Sequence, residues 1–385
     1  MPVHFEFATT GKLIFEQGAI ARLADHAASL GMRRILLVTD KGIVAAGLVE
    51  PALTALLDAS FEVMLFDTVV ADPPVSVIDA ACDAARAGKA DGVIGLGGGS
   101  SLDAAKLVAV ITCSGERLEH LYGIDQIKGP RLPLILIPTT AGTGSEVTPI
   151  SIVTVGAEEK KGVVSPVLLP DIALLDPDLT MGLPPQVTAA TGIDAMVHAI
   201  EAYTSAQKKN PVSDALATKA LELLGRSVPQ AYENGVDKQA RSEALLGSCL
   251  AGMAFANAPV AAVHALAYPI GARFHVPHGV SNALVLPAVL KFNLPEAGPL
   301  YAELSPLICT QDQLRAASSP QAAFVATLER YCDEMAVPRR LRDVGIVDND
   351  IDQLADDAME QTRLLGNNPR PVTRRDVVEI YRATL

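Results

Sequence analysis

The sequence predicts a chain in two parts: an α/β domain with a parallel sheet covered on both faces, and an all-α domain behind it. Three observations lead there. Short β-rich runs alternate with helical segments in the first half, the pattern of βαβ units. After Pro184-Pro185, long Ala- and Leu-rich segments dominate and β-branched runs are few. The 385 residues are enough for two domains of ordinary size, each with its own core. The expected division is therefore residues 1–184 and 185–385.

In chain order, residues 4–7 and 12–15 read as short strands joined through Thr9, Thr10 and Gly11. Residues 35–39 (ILLVT) are β-rich, 45–57 read as a helix, 62–66 as a strand and 75–87 as a helix. Residues 92–96 make a strand, 101–111 a helix, and 134–137 (LILI) a strand. In the second half, 187–205, 211–224, 238–256 and 322–335 read as helices, and the Pro-rich stretch 367–371 as a loop before a last helix. No internal repeat or low-complexity tract interrupts this order.

Composition excludes several classes. Hydrophobic residues make up 49% and charged residues 19%, which fits a globular protein rather than a disordered one. A net charge of −13 argues against nucleic-acid binding, which needs basic footprints on phosphates. Cys82, Cys113, Cys249, Cys309 and Cys332 are odd in number, widely spaced and without a CxxC, so a disulfide framework is not expected and a reducing cytoplasm is. The opening MPVHFEF does not read as a signal peptide. Residues 244–272 carry no Asp, Glu, Lys or Arg, yet they include Ser248, Asn257, Pro259 and His264. Lipid offers such groups no partners. The stretch reads as two buried helices broken near Pro259, with no membrane contact.

The run DGVIGLGGGSSLDAAKLVAV (91–110) reads as a buried strand, a glycine turn and a helix. Gly97, Gly98 and Gly99 let a ligand approach the backbone, and Ser100, Ser101 and Asp103 crowd the helix start, where free N–H groups and the dipole suit a phosphate. A serine-capped turn without a ligand is the plain alternative. No GxGxxG or Walker loop is present. A second loop, PTTAGTGSE (138–146), follows the LILI strand and is dense in hydroxyls and glycines. Loops at strand C-termini are where open α/β sheets bind ligands. Asp40 ends the first α/β strand in VTDKG. A carboxylate there accepts hydrogen bonds from an adenosine ribose and repels a 2′-phosphate, favouring NAD over NADP. It reads equally as an ordinary strand-end turn residue, because the usual fingerprint puts the acid after the glycine loop.

Asp194 and His198 lie four residues apart in TGIDAMVHAIEAY, on one face of a helix apolar nearly all round. A buried carboxylate needs a partner or a metal. For this pair alone, a simple Asp–His hydrogen bond suffices. His264, His275 and His278 follow in or just after apolar helical segments. Imidazoles with a carboxylate suit Fe²⁺ or Zn²⁺ rather than Ca²⁺ or Mg²⁺. The residues alone leave the choice among these three histidines open.

With GGGSSLD at 97–103, PTTAGTGSE at 138–146, LPDIALLDPDL at 169–179, PPQVTAATGIDAMVHAIEAY at 184–203, HALAYPIG at 264–271, PHGVSNALVLP at 277–287 and NPRPVTRRD at 368–376, the chain resembles the iron-containing (group III) alcohol dehydrogenases of the dehydroquinate synthase-like superfamily, over nearly its whole length. The resemblance implies a Rossmann-like N-terminal domain, a helical C-terminal domain and an active site in the cleft. It assigns the metal to Asp194, His198, His264 and His278, leaving His275 out. It assigns Asp40 to the adenosine ribose and Gly97, Gly98, Gly99, Ser100 and Ser101 to the pyrophosphate. Thr139, Thr140, Thr143 and Ser145 line the cofactor site in that scheme. Asp72 takes the place of an Asn common near the nicotinamide. Lys160 matches a cofactor-contacting lysine, with Lys161 beside it, and Phe255 and Val260 match substrate-pocket positions. One departure stands out: many relatives have HxxxH beginning at the position of His264, whereas here the second position is Tyr268. A phenol of pKa ~10 is a weak proton shuttle at neutral pH, and His275 and water are the other candidates.

The expected function is reversible hydride transfer between NAD(H) and a small primary alcohol, diol or hydroxyacid, with Fe²⁺ (or Zn²⁺) as metal and a homo-oligomer, dimer or higher, as the assembly. The runner-up is hydroxyacid–oxoacid transhydrogenation with a bound, recycled cofactor, which would turn over without added NAD. A non-enzymatic metal binder, or an oxygenase using two His and one carboxylate, needs no dinucleotide, and the two glycine-rich loops speak against both.

Overall fold

The computed structural model describes residues 4–156 and 159–385. The chain divides into two compact units: Ala8–Met181, and Gly182–Leu385 together with residues 4–7.

Nine strands are described, all in the first unit: β1 (Lys12–Phe15), β2 (Arg34–Asp40), β3 (Glu62–Val69), β4 (Gly92–Gly97), β5 (Gly123–Ile124), β6 (Leu134–Pro138), β7 (Ile150–Val155), β8 (Glu159–Val164) and β9 (Ile172–Leu175). Six of them form one parallel sheet in the order β1-β9-β6-β4-β2-β3. The helices of this unit are α1 (Leu23–Ser29), α2 (Lys41–Ala45), α3 (Glu50–Asp58), α4 (Val75–Ala87) and α5 (Gly99–Ser114). Alternate residues of the central strands feed two cores. Ile35, Leu37, Ile94, Leu96, Ile135 and Ile137 join Leu23, Ala27, Ala52 and Leu56 on one face. Leu36, Val38, Val93, Leu134 and Leu136 join Ile78, Ala81, Leu102, Ala105 and Val108 on the other. Both faces are covered, which is why these strands read as continuous apolar runs.

The connection after β2 runs outward to β3, and the chain then returns to the other side of β2 to form β4. The sheet therefore reverses its winding between β2 and β4, and Asp40 and Gly97 end those two neighbouring strands. A crevice outside the strand ends at such a reversal is the ligand position of open α/β sheets.

Three expectations need correction. Residues 4–7 form no strand, for no described strand takes up their backbone hydrogen bonds. The expected helix over 45–57 is two helices, because the chain turns at Gly47 in the left-handed conformation (φ 72°) between α2 and α3. The region 150–164, for which the sequence offered no element, is the antiparallel hairpin β7–β8, with β5 parallel to β8. Its buried positions in β7 are Ser151 and Val153, and Lys160 and Lys161 stand in β8, so no clean apolar alternation announces it.

The second unit is helical in every described element: α6 (Pro185–Thr204), α7 (Pro211–Glu233), α8 (Lys238–Asn257), α9 (Ala262–Phe274), α10 (His278–Ile308), α11 (Gln311–Ala316), α12 (Pro320–Glu334), α13 (Ile351–Met359), α14 (Thr362–Leu365) and α15 (Arg374–Ala383). α10 has 31 residues despite Pro287, Pro295, Pro299 and Pro306 inside it, which is why sequence reading passed it over. The uncharged stretch is the pair α8 and α9, bent by 105° at residues 258–261; among the described residues no single helix is long and apolar enough to cross a membrane. α9 is tied down by the buried Tyr381 of α15, whose hydroxyl donates to the Leu266 carbonyl at 2.7 Å.

α6 and α10 meet with no room for a side chain. A Cβ on Gly279 would lie 2.1 Å from the Ala190 carbonyl oxygen, a backbone atom that cannot swing aside. Gly279→Ala is expected to part the two helices and to cost about 1–3 kcal/mol or more in urea unfolding. A variant within ~0.5 kcal/mol of wild type, the range of neutral surface changes, would show that the crossing has slack.

Candidate active site

α6 supplies the first two side chains of the candidate centre. Asp194 and His198 are one turn apart, and both are buried. α9 brings in His264 near its start, and His278 is the first residue of α10. One ligand atom from each of these four lies within 4.8 Å of all the others. Asp194 Oδ1 is 3.9, 3.7 and 3.5 Å from the Nε2 atoms of His198, His264 and His278. A tetrahedral ion with bonds of about 2.1 Å needs ligand atoms about 3.4 Å apart. The three carboxylate–imidazole separations lie close to that spacing, and three imidazoles with one carboxylate suit iron or zinc.

Two residues that sequence reasoning missed complete the cluster. Asn282, one turn beyond His278, directs Nδ2 to Asp194 Oδ1 at 2.6 Å, with His278 Nε2 at 3.2 Å and His264 Nε2 at 3.4 Å. Its amide hydrogens thus lie on lone pairs that a cation would use, while its buried Oδ1 has no partner among the described residues. Glu201 lies seven residues beyond Asp194 on α6 and meets His264 Nδ1 at 2.6 Å. Both had a signal in the sequence, a polar residue in helical register with an expected ligand.

Burial pushes the Asp194 carboxyl up, but the His198 and His278 imidazoles, with His264, outweigh it and hold Asp194 well below the usual carboxylate range. Burial depresses His264, and its bonds to Asp194 and Glu201 overcome that and carry the metal-free imidazole up to about 9.

Around the four, Phe255 stacks on the His198 ring at 4.2 Å, and His198 stacks on His264 at 4.7 Å. Phe255 and Val260 are buried. Of the four, His278 is the partly exposed one, its side chain 35% exposed against 6, 3 and 2% for His198, Asp194 and His264. The Tyr268 ring lies 5.7 Å from the His278 ring and edge-on to His264 at 6.3 Å. His275 is not brought into the cluster. It is exposed at the C-terminus of α9 in the left-handed conformation (φ 54°).

In the other unit the two glycine-rich loops are knit together. A Cβ on Gly99 would lie 2.9 Å from Thr143 Cγ2, and Gly98 faces Thr140. The Thr139 amide donates to the Gly97 carbonyl at 3.0 Å. Lys106 was not anticipated. It is fully buried, and its ammonium donates to Ser145 Oγ at 2.8 Å and the Ile150 carbonyl at 2.7 Å, and pairs with Asp103 at 3.3 Å. Asp103 also accepts from Ser145 Oγ at 2.5 Å and from the Ile152 amide at 3.0 Å, so its carboxylate fastens the loops. Asp40 divides its oxygens: Oδ1 caps α2 through the Gly42 and Ile43 amides, and Oδ2 accepts from Ser101 Oγ at 3.2 Å. Asp72 pairs with Lys160 at 2.8 Å, and its amide donates to Ser100 Oγ at 3.2 Å. A dinucleotide fits this place on two counts. Among the described residues the buried Thr139 Oγ1 has no partner, and α5 starts at Gly99 with no side-chain cap on its N-terminus.

Comparison with known proteins gives the family. The iron-containing alcohol dehydrogenase profile matches residues 10–177, and the profile of the C-terminal part of the Fe-containing alcohol dehydrogenase family matches 188–385. Long-chain-alcohol dehydrogenase 1 of Geobacillus thermodenitrificans is 42% identical over 370 residues, covering 95% of this chain and 93% of its own. The crystal structure of a 1,3-propanediol oxidoreductase superposes with a TM-score of 0.95 at 34% identity, over 99% of this chain and 100% of that one. A sulfoacetaldehyde reductase from Bifidobacterium kashiwanohense, solved in complex with NAD⁺, superposes with a TM-score of 0.89 at 27% identity, over 100% and 99%.

The raised pKa of His264 makes metal uptake a proton exchange. The group is protonated below about 9 in the metal-free protein, so its proton must leave before Nε2 can act as a ligand. Zinc affinity, measured by chelator competition, is expected to rise about tenfold per pH unit from neutrality up to about pH 9 and then level off. A flat profile over that range would mean that His264 is already neutral at pH 7.

Proposed function

The chain belongs to the iron-containing alcohol dehydrogenase family, and from that premise we propose that it interconverts a small primary alcohol and its aldehyde with NAD as hydride carrier. The convergence of three imidazole nitrogens and one carboxylate oxygen within 4.8 Å, with His278 partly exposed, carries this reading. Asp194, His198, His264 and His278 would hold Fe²⁺, and Zn²⁺ suits the same donors. A divalent cation supplies Lewis acidity, which lowers the pKa of an alcohol and polarises an aldehyde carbonyl. Asp194 contributes the one negative charge among the four donors. Phe255, stacked on His198, would give an apolar wall that shelters a carbon chain and excludes water, with the buried Val260 beside it in this reading.

The cofactor half of the reading rests on Asp40 for the adenosine ribose and on Gly97, Gly98, Gly99, Ser100 and Ser101 for the pyrophosphate. Thr139, Thr140, Thr143 and Ser145 line the site, with the Asp72–Lys160 pair beside Ser100. Asp103 supports the loops. A relative solved with NAD⁺ supports the choice of dinucleotide. The similar proteins are named for long-chain alcohols, 1,3-propanediol and sulfoacetaldehyde, an alcohol or an aldehyde in each case. A cytoplasmic homo-oligomer, dimer or higher, completes the proposal. All five cysteines are free, and β1 is an edge strand that exposes Leu13 and Phe15. A screen of short primary alcohols, diols and hydroxyacids with NAD⁺ and added Fe²⁺ tests the activity; no NADH from any of them would overturn it.

Two variants test the assigned roles. The Asp40 carboxylate should repel the 2′-phosphate of NADP, so wild type is expected to prefer NAD⁺ in kcat/KM by at least roughly tenfold, ~1.4 kcal/mol. Asp40→Gly should lose most of that preference, and an unchanged ratio would sink the ribose assignment.

Tyr268 packs against His278 and His264, where its hydroxyl would shape the site without relaying the proton; water or His275 would take that role. Tyr268→Phe is expected to lower kcat less than ~10-fold, since general acid–base groups are typically worth 10²–10⁴. A loss of a hundredfold or more with metal and NAD affinity intact would place the phenol in the chemistry.

A further inference from the structure

Glu201 is a buried acid that the reading above leaves without a task. Its side chain is 5% exposed, in a helix whose neighbouring residues are apolar. Both carboxylate oxygens are engaged. Oε1 accepts from the Val263 amide at 2.7 Å, and Oε2 accepts from the Ala261 amide at 3.0 Å and contacts His264 Nδ1 at 2.6 Å. The two amides stand at the start of α9, whose N-terminus has no side-chain cap of its own. A carboxylate from α6 therefore does what an N-cap residue usually does. His264 is the third residue of α9, and its other nitrogen, Nε2, is the one that faces Asp194.

We propose that Glu201 is a positioning residue for the metal centre: it keeps the His264 proton on Nδ1, aims Nε2 at the ion, and fixes the start of α9 in the same act. The inference rests on the assignment of His264 as a metal ligand. Its physical basis is that only an acceptor at Nδ1 forces the tautomer whose free lone pair is on Nε2. A carboxylate there also makes the imidazole a stronger electron donor. Glu201 belongs to the same helix as Asp194 and His198, so α6 sets three of the four ligands, two directly and one through this contact.

Glutamine cannot replace it. Three donors converge on Glu201, whereas an amide has one acceptor oxygen. If that oxygen takes the place of Oε2, the NH₂ meets the Val263 amide head-on; the reverse flip sets it against His264 and Ala261.

The test is zinc binding to the purified full-length apoprotein by chelator competition, with circular dichroism to monitor the fold. Wild type is expected to bind one zinc and His264→Ala to lose it. If that arm fails, the ligand assignment falls and this inference with it. Given that result, Glu201→Gln is expected to bind zinc ~10–100-fold more weakly, the usual effect of removing the partner of a metal-bound histidine. An affinity within about twofold of wild type would overturn the role of Glu201 alone and leave the ligand set standing. If Glu201→Gln does not fold, ¹⁵N-histidine NMR of zinc-loaded wild type decides. The His264 Nδ1 proton is expected far downfield and shielded from solvent exchange by the carboxylate. An ordinary shift with fast exchange would overturn the proposal.

Discussion

The helical unit is organised around one costly act, the burial of the Asp194 carboxylate in the middle of α6. An ionised acid in an apolar interior is stable only with charge or hydrogen-bond donors close at hand. The chain meets that demand from three directions, with His198 on the same helix, His264 from α9, and His278 and Asn282 from α10. Each contact fixes where a helix must lie. The tight crossing at Gly279 is part of the same requirement, since His278 cannot reach Asp194 unless α10 comes down onto α6. The ligand geometry and the packing of the helices are thus one problem with one solution.

The α/β unit solves a different problem, how to leave backbone exposed to a ligand without letting the loops collapse. Glycines give the open surface, but three in a row are loose by nature. The rigidity comes from behind. Lys106, fully buried, reaches from α5 to Ser145, Ile150 and Asp103, and so binds the helix after the first loop to the residues at the end of the second. A charge that pairs inside the scaffold here holds groups that face outward.

Much of this was legible in the sequence, for identifiable reasons. The strands β2, β4 and β6 were found because both faces of the sheet are covered there, so each is a nearly unbroken apolar run; β9, equally buried, was not expected as a strand. The helices α6 and α8 announced themselves by length and composition. Asp194, His198, His264 and His278 were candidates because histidines and an acid in apolar helices are conspicuous, but spacing alone could not choose between His275 and His278; the structure brings His278 into the cluster and leaves His275 exposed. What was missed shares a cause as well. Glu201, Asn282 and Lys106 act by touching residues far off in the chain, at separations of 63, 88 and 39, and the helical register that sets Glu201 and Asn282 beside expected ligands does not say what they touch. The hairpin β7–β8 was missed because its buried positions include Ser151, which carries no hydrophobic signal, and because Lys160 and Lys161 stand in β8.

The hydroxyl of Tyr381 that reaches Leu266 has a consequence for how the protein comes into being. It spans 115 residues to brace α9, the helix that carries His264. Asn367, from the loop before α15, likewise donates to the Val260 carbonyl in the break between α8 and α9, 107 residues away. During synthesis, the uncharged segment of α8 and α9 therefore leaves the ribosome long before the residues that clamp it exist. Such a segment, apolar and without charges to repel its copies, is what self-associates when exposed. Yield from the cell should thus be governed less by the stability of the finished fold than by how long this segment waits uncovered, which makes slow translation at low temperature and chaperone supply the levers on recovery of active protein.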